Sequence, residues 1–384
     1  MADKIKRAAA IISLLICAFA YWGASRSLHV QGQSQRRIPL TKWRPTHEFP
    51  GVRYVGSRIC AECHGYQAKN FFSTPMAHAA EKISDCETLI KHPRLQFSEG
   101  NFSYQIVRKG EQSIYTVSDG AHSISEPVLY CFGQNAAGQT YVFEHNGALV
   151  ESRVSYFQEL QNLNITILHP RSQPKSLEDA LGRRMSAEDG LACFSCHSTA
   201  AVGNSQLQFD RLIPGVSCEA CHGPGEKHLA AVKAHQVNDL QIFNPGKLDS
   251  FDLTQEFCGA CHTSFEQVLA LPDHGGINNL RFQPYRIFNS RAHFLNDPRM
   301  SCTACHDPHN PLERKASFYD AKCLACHLSD VKEAKTEERS ARACPVSKQL
   351  CVTCHMPKVE VPEAHFKFTD HWIRIVKPNE PTPK

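Results

Sequence analysis

The chain has 384 residues, of which 18 are Cys and 21 are His, several times the usual share of both, which excludes an ordinary cytosolic enzyme. Hydrophobic residues make up 42%, and that figure counts the cysteines, so something other than aliphatic side chains is expected to fill part of the interior. Lys and Arg number 42 against 38 Asp and Glu, a formal +4 spread without a dense basic block, which gives no footprint for nucleic acid.

Residues 1–24 open on a basic stretch, MADKIKR, followed by an apolar run from Ala8 to Trp22. This predicts an export segment. The run is short for a membrane span, and Ala18-Phe19-Ala20 offers a small-residue cleavage site, so a cleaved signal peptide and an uncleaved inner-membrane anchor both fit. Cys17 sits behind the bulky Ile16, which argues against lipidation. Residues 25–50, rich in Ser, Gln, Arg and Pro, read as an extended linker.

From residue 51 onward the cysteines set the pattern. One pentapeptide, CxxCH, recurs seven times: Cys60 and Cys63 with His64, Cys193 and Cys196 with His197, Cys218 and Cys221 with His222, Cys258 and Cys261 with His262, Cys302 and Cys305 with His306, Cys323 and Cys326 with His327, and Cys351 and Cys354 with His355. Random placement of these residue types gives roughly 0.05 such motifs. CxxCH is the c-type haem attachment signature: two thiols add to the haem vinyl groups, and the adjacent imidazole sits under the iron as its proximal ligand. Zinc knuckles and disulfide frameworks also pair cysteines, but neither demands a histidine directly after every second one. The motifs therefore predict seven covalently attached haems. Haem is joined to CxxCH outside the cytoplasm, so a periplasmic or other extracytoplasmic location is expected, with the N-terminal helix as a means of membrane attachment.

The gap between the first two motifs, residues 65–192, is far longer than any later one and must hold structure of its own. Alternation of apolar and polar residues predicts strands at Phe102 to Arg108, Ser113 to Val117, Val128 to Phe132, Tyr141 to Glu144 and Ala148 to Phe157, joined by Gly-containing turns. They make a small antiparallel β meander within about residues 95–160. SLEDALGRR at 176–184 predicts a short helix, and the chain after Cys193 reads as short helices and loops threaded between motifs. The expected fold class is a mostly α and irregular multihaem cytochrome c fold with a haem-filled core, the meander being inserted between motifs 1 and 2. One domain over 51–375 is expected, with a Pro-rich tail at 376–384.

Seven histidines are proximal by motif, which leaves fourteen candidates for the second axial positions. That position sets the chemistry: His gives a low-potential electron carrier, Met raises the potential, and a missing side chain leaves a substrate site. His309 follows His306 by three residues, too short a stretch to wrap round a porphyrin edge, so it is expected to serve a different haem. The Gly223-Pro224-Gly225 turn redirects His228 away from its own motif in the same way. His371 and His78 lie far enough from the last and first motifs to fold over a haem. The expected distal ligands are His78, His228, His293, His309 and His371, with His169, His274 and His365 as further candidates. Met76 competes with His78, and His29, His47 and His92 read as solvated. Of the remaining cysteines, Cys86 and Cys131 lie in or beside the strands, where a disulfide and free thiols are both open. Cys344 completes no motif, so no eighth haem is expected.

These motifs resemble a known group, the multihaem c-type cytochromes that share haem packing with the tetrahaem cytochrome of nitrifiers, the multihaem nitrite reductases and hydroxylamine oxidoreductase. Within it the chain is most similar to an exported haem domain often fused to tetratricopeptide repeats. The resemblance rests on YVGSRICAECH with FFSTPMAHAA, on FGQNAAGQTYVF, CFSCHSTA, GVSCEACHGPGEKH and CTACHDPH, and on CVTCHMPK followed by FTDHWI, over residues 54–375. It implies electron transfer through closely stacked, mostly bis-His haems, with His228, His309 and His371 as family-like distal ligands. Two features depart from the group: no repeats of about 34 residues follow the haem motifs, and no motif reads CxxCK, the variant that marks the catalytic haem of pentahaem nitrite reductases.

Two functions compete. In the first, the haems form a conduit from a quinol-linked or periplasmic donor to a terminal reductase or an extracellular acceptor. Seven ferric haems with ionised propionates would add about −7 to the apoprotein, so redox partners are expected to dock through basic patches. In the alternative, one open haem makes the chain a multihaem oxidoreductase that reduces or oxidises a small nitrogen or sulfur oxyanion. The strand insertion would then wall the pocket with Tyr141, His145, Tyr156 and His169, residues that also suit a packed sheet face. A haem-based sensor or a filament subunit comes third. The sequence favours the carrier over the enzyme and assigns no catalytic residue.

Overall fold

A computed structural model describes residues 45–46, 51–134, 137–236, 238–290, 297–327 and 344–377. All of them belong to the larger of two units, residues 43–384. The signal or anchor segment with Cys17, and His29, His47, His293 and the end of the tail, lie outside the described residues. No helix among the described residues is long and apolar enough to cross a membrane.

The dominant element is an antiparallel sheet of nine strands: β1 Ala80–Lys82, β2 Arg94–Glu99, β3 Phe102–Lys109, β4 Gln112–Ser118, β5 Ser123–Phe132, β6 Gln139–His145, β7 Ala148–Phe157, β8 Asn162–Ile165 and β9 Gly182–Arg184. Strands β2 to β8 pair in sequence order, while β1 adds to β5 and β9 to β7. The sheet nearly closes on itself, with β2 against β8 and the Gln96 N–H donating to Asn162 Oδ1 at 3.4 Å. Asn146 and Gly147 both take positive φ, 49° and 72°, and make the tight turn between β6 and β7 that matches strand twist.

This corrects the expectation of a mostly α and irregular fold with a haem-filled core and a small meander. The sheet runs from Ala80 to Arg184 and builds a core from its own side chains, among them Leu95, Tyr104, Ile106, Tyr115, Val117, Tyr141, Phe143, Val154 and Tyr156. The physical reason is distribution. Apolar residues that look sparse over the whole chain are concentrated here at every second position, so that β4 alternates buried and half-buried side chains along its length. The strands absent from the sequence reading are short and polar: AEK in β1, RLQFSE in β2, NLNI in β8 and GRR in β9. They join the sheet through backbone pairing, which composition does not report. SLEDALGRR accordingly divides into a helix at Leu177–Leu181 and strand β9.

After Arg184 the chain turns to short helices, with few buried apolar side chains between them. Leu253 and Phe257 make one small cluster, and Leu280, Val361 and Ala364 another.

Candidate haem sites

Each CxxCH motif lies on or beside a helical turn. They fall at Ser57–Ala61, at the end of Ala187–His197, at Cys218–His222, at Gly259–His262 following a π-helical stretch Asp252–Cys258, at Cys302–Cys305, at the end of Ala316–His327 and at Cys351–His355. On one turn the two cysteines, three apart, share a face and the histidine follows on the next position round, the presentation a porphyrin edge and its iron require. The helix carrying motif 2 starts with a capping box in which Ser186 and Asp189 bond each other's backbone N–H.

The motifs touch one another. The helices carrying motifs 1 and 3, 2 and 4, and 6 and 7 pack against each other in pairs, and the π-helical stretch that leads into motif 4 packs against motif 5. Cys221 of motif 3 and Cys258 of motif 4 pack against the same apolar cluster of Leu253 and Phe257, and the helices of motifs 5 and 6 are in contact. These contacts link all seven motifs in one continuous array.

Three motif histidines face a second imidazole from a remote segment. The ring centres of His64 and His228 are 6.4 Å apart, those of His222 and His309 6.1 Å, and those of His306 and His371 6.3 Å. A ligating imidazole nitrogen sits about 2 Å from a first-row metal and about 1.1 Å from its own ring centre, so two rings on opposite faces of one iron stand about 6 Å apart. The three pairs meet that test. His309 and His228 each face a motif other than their own, as the short spacer and the tight turn require. His371 meets His306 of motif 5 and not His355 of the nearby last motif.

Backbone carbonyls orient the rings. Nδ1 of His197 donates to Ala79 O at 2.8 Å, that of His222 to Phe243 O at 3.0 Å, that of His228 to Leu240 O at 2.7 Å, that of His355 to Arg374 O at 2.9 Å and that of His371 to Thr369 O at 2.9 Å. A carbonyl only accepts, so each Nδ1 carries the proton and Nε2 keeps the lone pair a metal needs. Burial lowers the pKa of His197, His222, His262 and His306, and brings His371 down to about 4, which keeps these rings neutral.

Three carboxylates absent from the sequence reading build this scaffold. Glu219, inside CEACH and only 1% exposed, accepts from the N–H groups of Val55, Gly56 and Gly225, each at 2.8 Å, and so joins motif 3 to the approach of motif 1 and to the turn before His228. Asp320, on the helix of motif 6, accepts from the N–H groups of Leu350 and Cys351 at 2.8 and 2.9 Å and caps the helix of motif 7. Asp370 is fully buried and receives both prongs of the Arg286 fork at 2.9 and 2.8 Å, Arg374 Nη1 at 2.7 Å and the Trp372 N–H at 3.0 Å. Ser290 accepts from the Ile373 N–H and donates to His371 O. The clamped run 370–374 thus holds His371 and also supplies the carbonyl that orients His355. Gly215, with φ 74°, belongs to the GVSCEACH stretch, and a Cβ there would run into Ala77 O. Asp370 and Glu219 lie within the quoted stretches, which was the available signal, but nothing local states their partners.

The other candidates lie elsewhere. His78 has both ring nitrogens engaged, Nδ1 with Glu81 at 2.7 Å and Nε2 with Phe72 O at 2.8 Å. His169 is buried and bonds Glu151 at 3.1 Å. His365 packs edge-on against Phe157 and bonds Asn164, and His274 sits at positive φ in a kink between two short helical turns. His145 lies between Glu126 and Glu178. Tyr141 and Tyr156 are fully buried in the sheet core. His92, expected in solvent, is half-buried and bonds the Tyr156 hydroxyl at 3.1 Å.

The motifs and the family comparison together define the class: the chain is a c-type cytochrome, an electron carrier that binds haem covalently. More particularly, residues 155–223 match the model of cytochrome c554 and c-prime, a stretch that spans the end of β7 and motifs 2 and 3. No curated protein and no solved structure matches the chain.

Proposed function

We propose that the chain carries seven haems, one on each CxxCH motif, and conducts electrons along them as an exported, extracytoplasmic heptahaem cytochrome. The observation that carries this reading is the set of three imidazole pairs, His64 with His228, His222 with His309 and His306 with His371, at ring spacings suited to one iron each. In each pair the motif histidine is the proximal ligand and the second ring the distal one. Bis-His ligation leaves no site for substrate and sets a low potential, which suits a carrier. The haems would supply one-electron chemistry; burial keeps His222, His306 and His371 neutral, and carbonyls on Nδ1 leave the Nε2 atoms of His222, His228 and His371 free to ligate. Contacts between successive motifs favour a continuous path. Electrons would enter from a quinol-linked or periplasmic donor and leave to a terminal reductase or an extracellular acceptor.

Low-temperature electron paramagnetic resonance on the air-oxidised holoprotein, with haem content fixed by pyridine haemochrome, tests this. Seven haems per chain with low-spin ferric signals alone are expected. A stoichiometric high-spin signal that shifts with nitrite, hydroxylamine or sulfite would replace the carrier with an oxidoreductase.

A further inference from the structure

Seven motifs consume fourteen cysteines, and of the remaining four Cys17 lies outside the described residues and Cys344 stands apart near motif 7. Cys86 and Cys131 are different. They are 0% and 1% exposed, they belong to the sheet core, and the Cys131 thiol donates to Glu81 O at 3.7 Å. Cys86 immediately precedes the helix Glu87–Lys91, and its thiol also donates to Gln139 Oε1 at 3.2 Å. Cys131 lies on β5, directly opposite Glu81 of β1. The two sulfurs and the Glu81 carboxylate lie within 4.8 Å of one another.

We infer that Cys86 and Cys131 form a buried disulfide that staples the β1 segment to the sheet. The inference rests on the reading of an exported protein, because only an oxidising compartment supplies the oxidant. A thiolate of the pair attacks the disulfide of a thiol–disulfide oxidant, and the second thiolate displaces it. Two thiols thereby lose two protons and two electrons, and the oxidant leaves as a dithiol. Both sulfurs are sealed in the folded sheet, so the bond forms before the sheet closes and then resists external reductant. A metal fits the cluster less well: it offers two sulfurs and one carboxylate, and that carboxylate already pairs with His78 at 2.7 Å, whereas a closed structural site takes four ligands.

The staple has a place in the haem scaffold. β1 begins one residue after Ala79, whose carbonyl accepts from both His197 Nδ1 and the Gly133 N–H at 2.8 Å. Closing the loop from 86 to 131 holds this segment, and with it the orientation of the motif 2 histidine.

The test uses the exported holoprotein, unfolded in urea with an alkylating agent and no reductant, then digested for mass spectrometry. The Cys86 and Cys131 peptides should appear as one cross-linked species, two hydrogens lighter than their sum, and take up label only after reduction. Both cysteines labelled without reduction, or a stoichiometric metal ion released on unfolding, overturns the inference. Cys86→Ala, Cys131→Ala and the double variant should each lower Tm by the same amount, about 5–10 °C; additive losses also overturn it. Haem content separates the two readings: free thiols on a seven-haem protein sink the disulfide alone, whereas a protein lacking covalent haem sinks the function proposed above.

Discussion

At the scale of single residues, the positions proposed to bind haem divide into two kinds. A histidine proposed as proximal is fixed by covalent spacing, since it follows its second cysteine directly, and all seven CxxCH histidines are legible as text. A histidine proposed as distal comes from anywhere the chain can reach: His228 faces a ring 164 residues earlier in sequence than itself, and only folding brings them together. Chain stiffness still excluded some pairings. Three residues cannot carry His309 round its own haem, and its ring stands against His222. Replacing His309 with Met should raise one midpoint potential, by on the order of 0.1 V, with seven haems retained. Spectroelectrochemical titration with a haem assay checks this; loss of a covalent haem would sink its role as a distal ligand.

At the scale of elements, strand and helix signals differ in what they rest on. Alternation placed β3 and β4 closely because each presents one face to a core, whereas β6 and β7 are apolar runs buried on both faces over part of their length. β1 and β9, three residues each, take their conformation from β5 and β7 and carry no such pattern. The helix Ala187–His197 is set by its first turn as much as by the haem motif at its end. The Asp189 carboxyl is held down to about 2 by the Ser186 N–H, and further by Arg183 and the Ser186 hydroxyl. Its folded pKa lies below the unfolded value near 3.9, so its stabilisation is complete above about pH 4 and lost as pH falls through about 2. Asp189→Asn should therefore cost about 1 kcal/mol at pH 7, mainly through the cap, since the partly exposed Arg183 pair is screened. Urea midpoints of the two proteins should converge as pH approaches 2; a gap independent of pH would show that the carboxylate charge contributes nothing.

At the scale of the molecule, two kinds of interior meet. The sheet buries a cluster of eighteen residues from its own strands and the helices beside them. The part after Arg184 has small apolar clusters around a dense set of histidines and cysteines, and its order is predicted to depend on haem. Chain produced without haem attachment should keep the sheet and lose order elsewhere. Limited proteolysis of that apoprotein is expected to leave a resistant fragment covering about residues 80–184, whereas the holoprotein resists throughout. Equal digestion of both regions would show that the sheet too needs haem.

The sequence by itself determined the number of CxxCH motifs, the histidine that closes each and the longer strands, because each is written in neighbouring residues by covalent spacing or by the two-residue period of a strand. Tertiary structure decided which imidazoles face each other, which carboxylates clamp them, that the meander is the greater part of a nearly closed nine-stranded sheet, and that Cys86 meets Cys131. Those outcomes depend on backbone pairing and on contacts between residues far apart in the chain, where the local pattern carries no record of the partner.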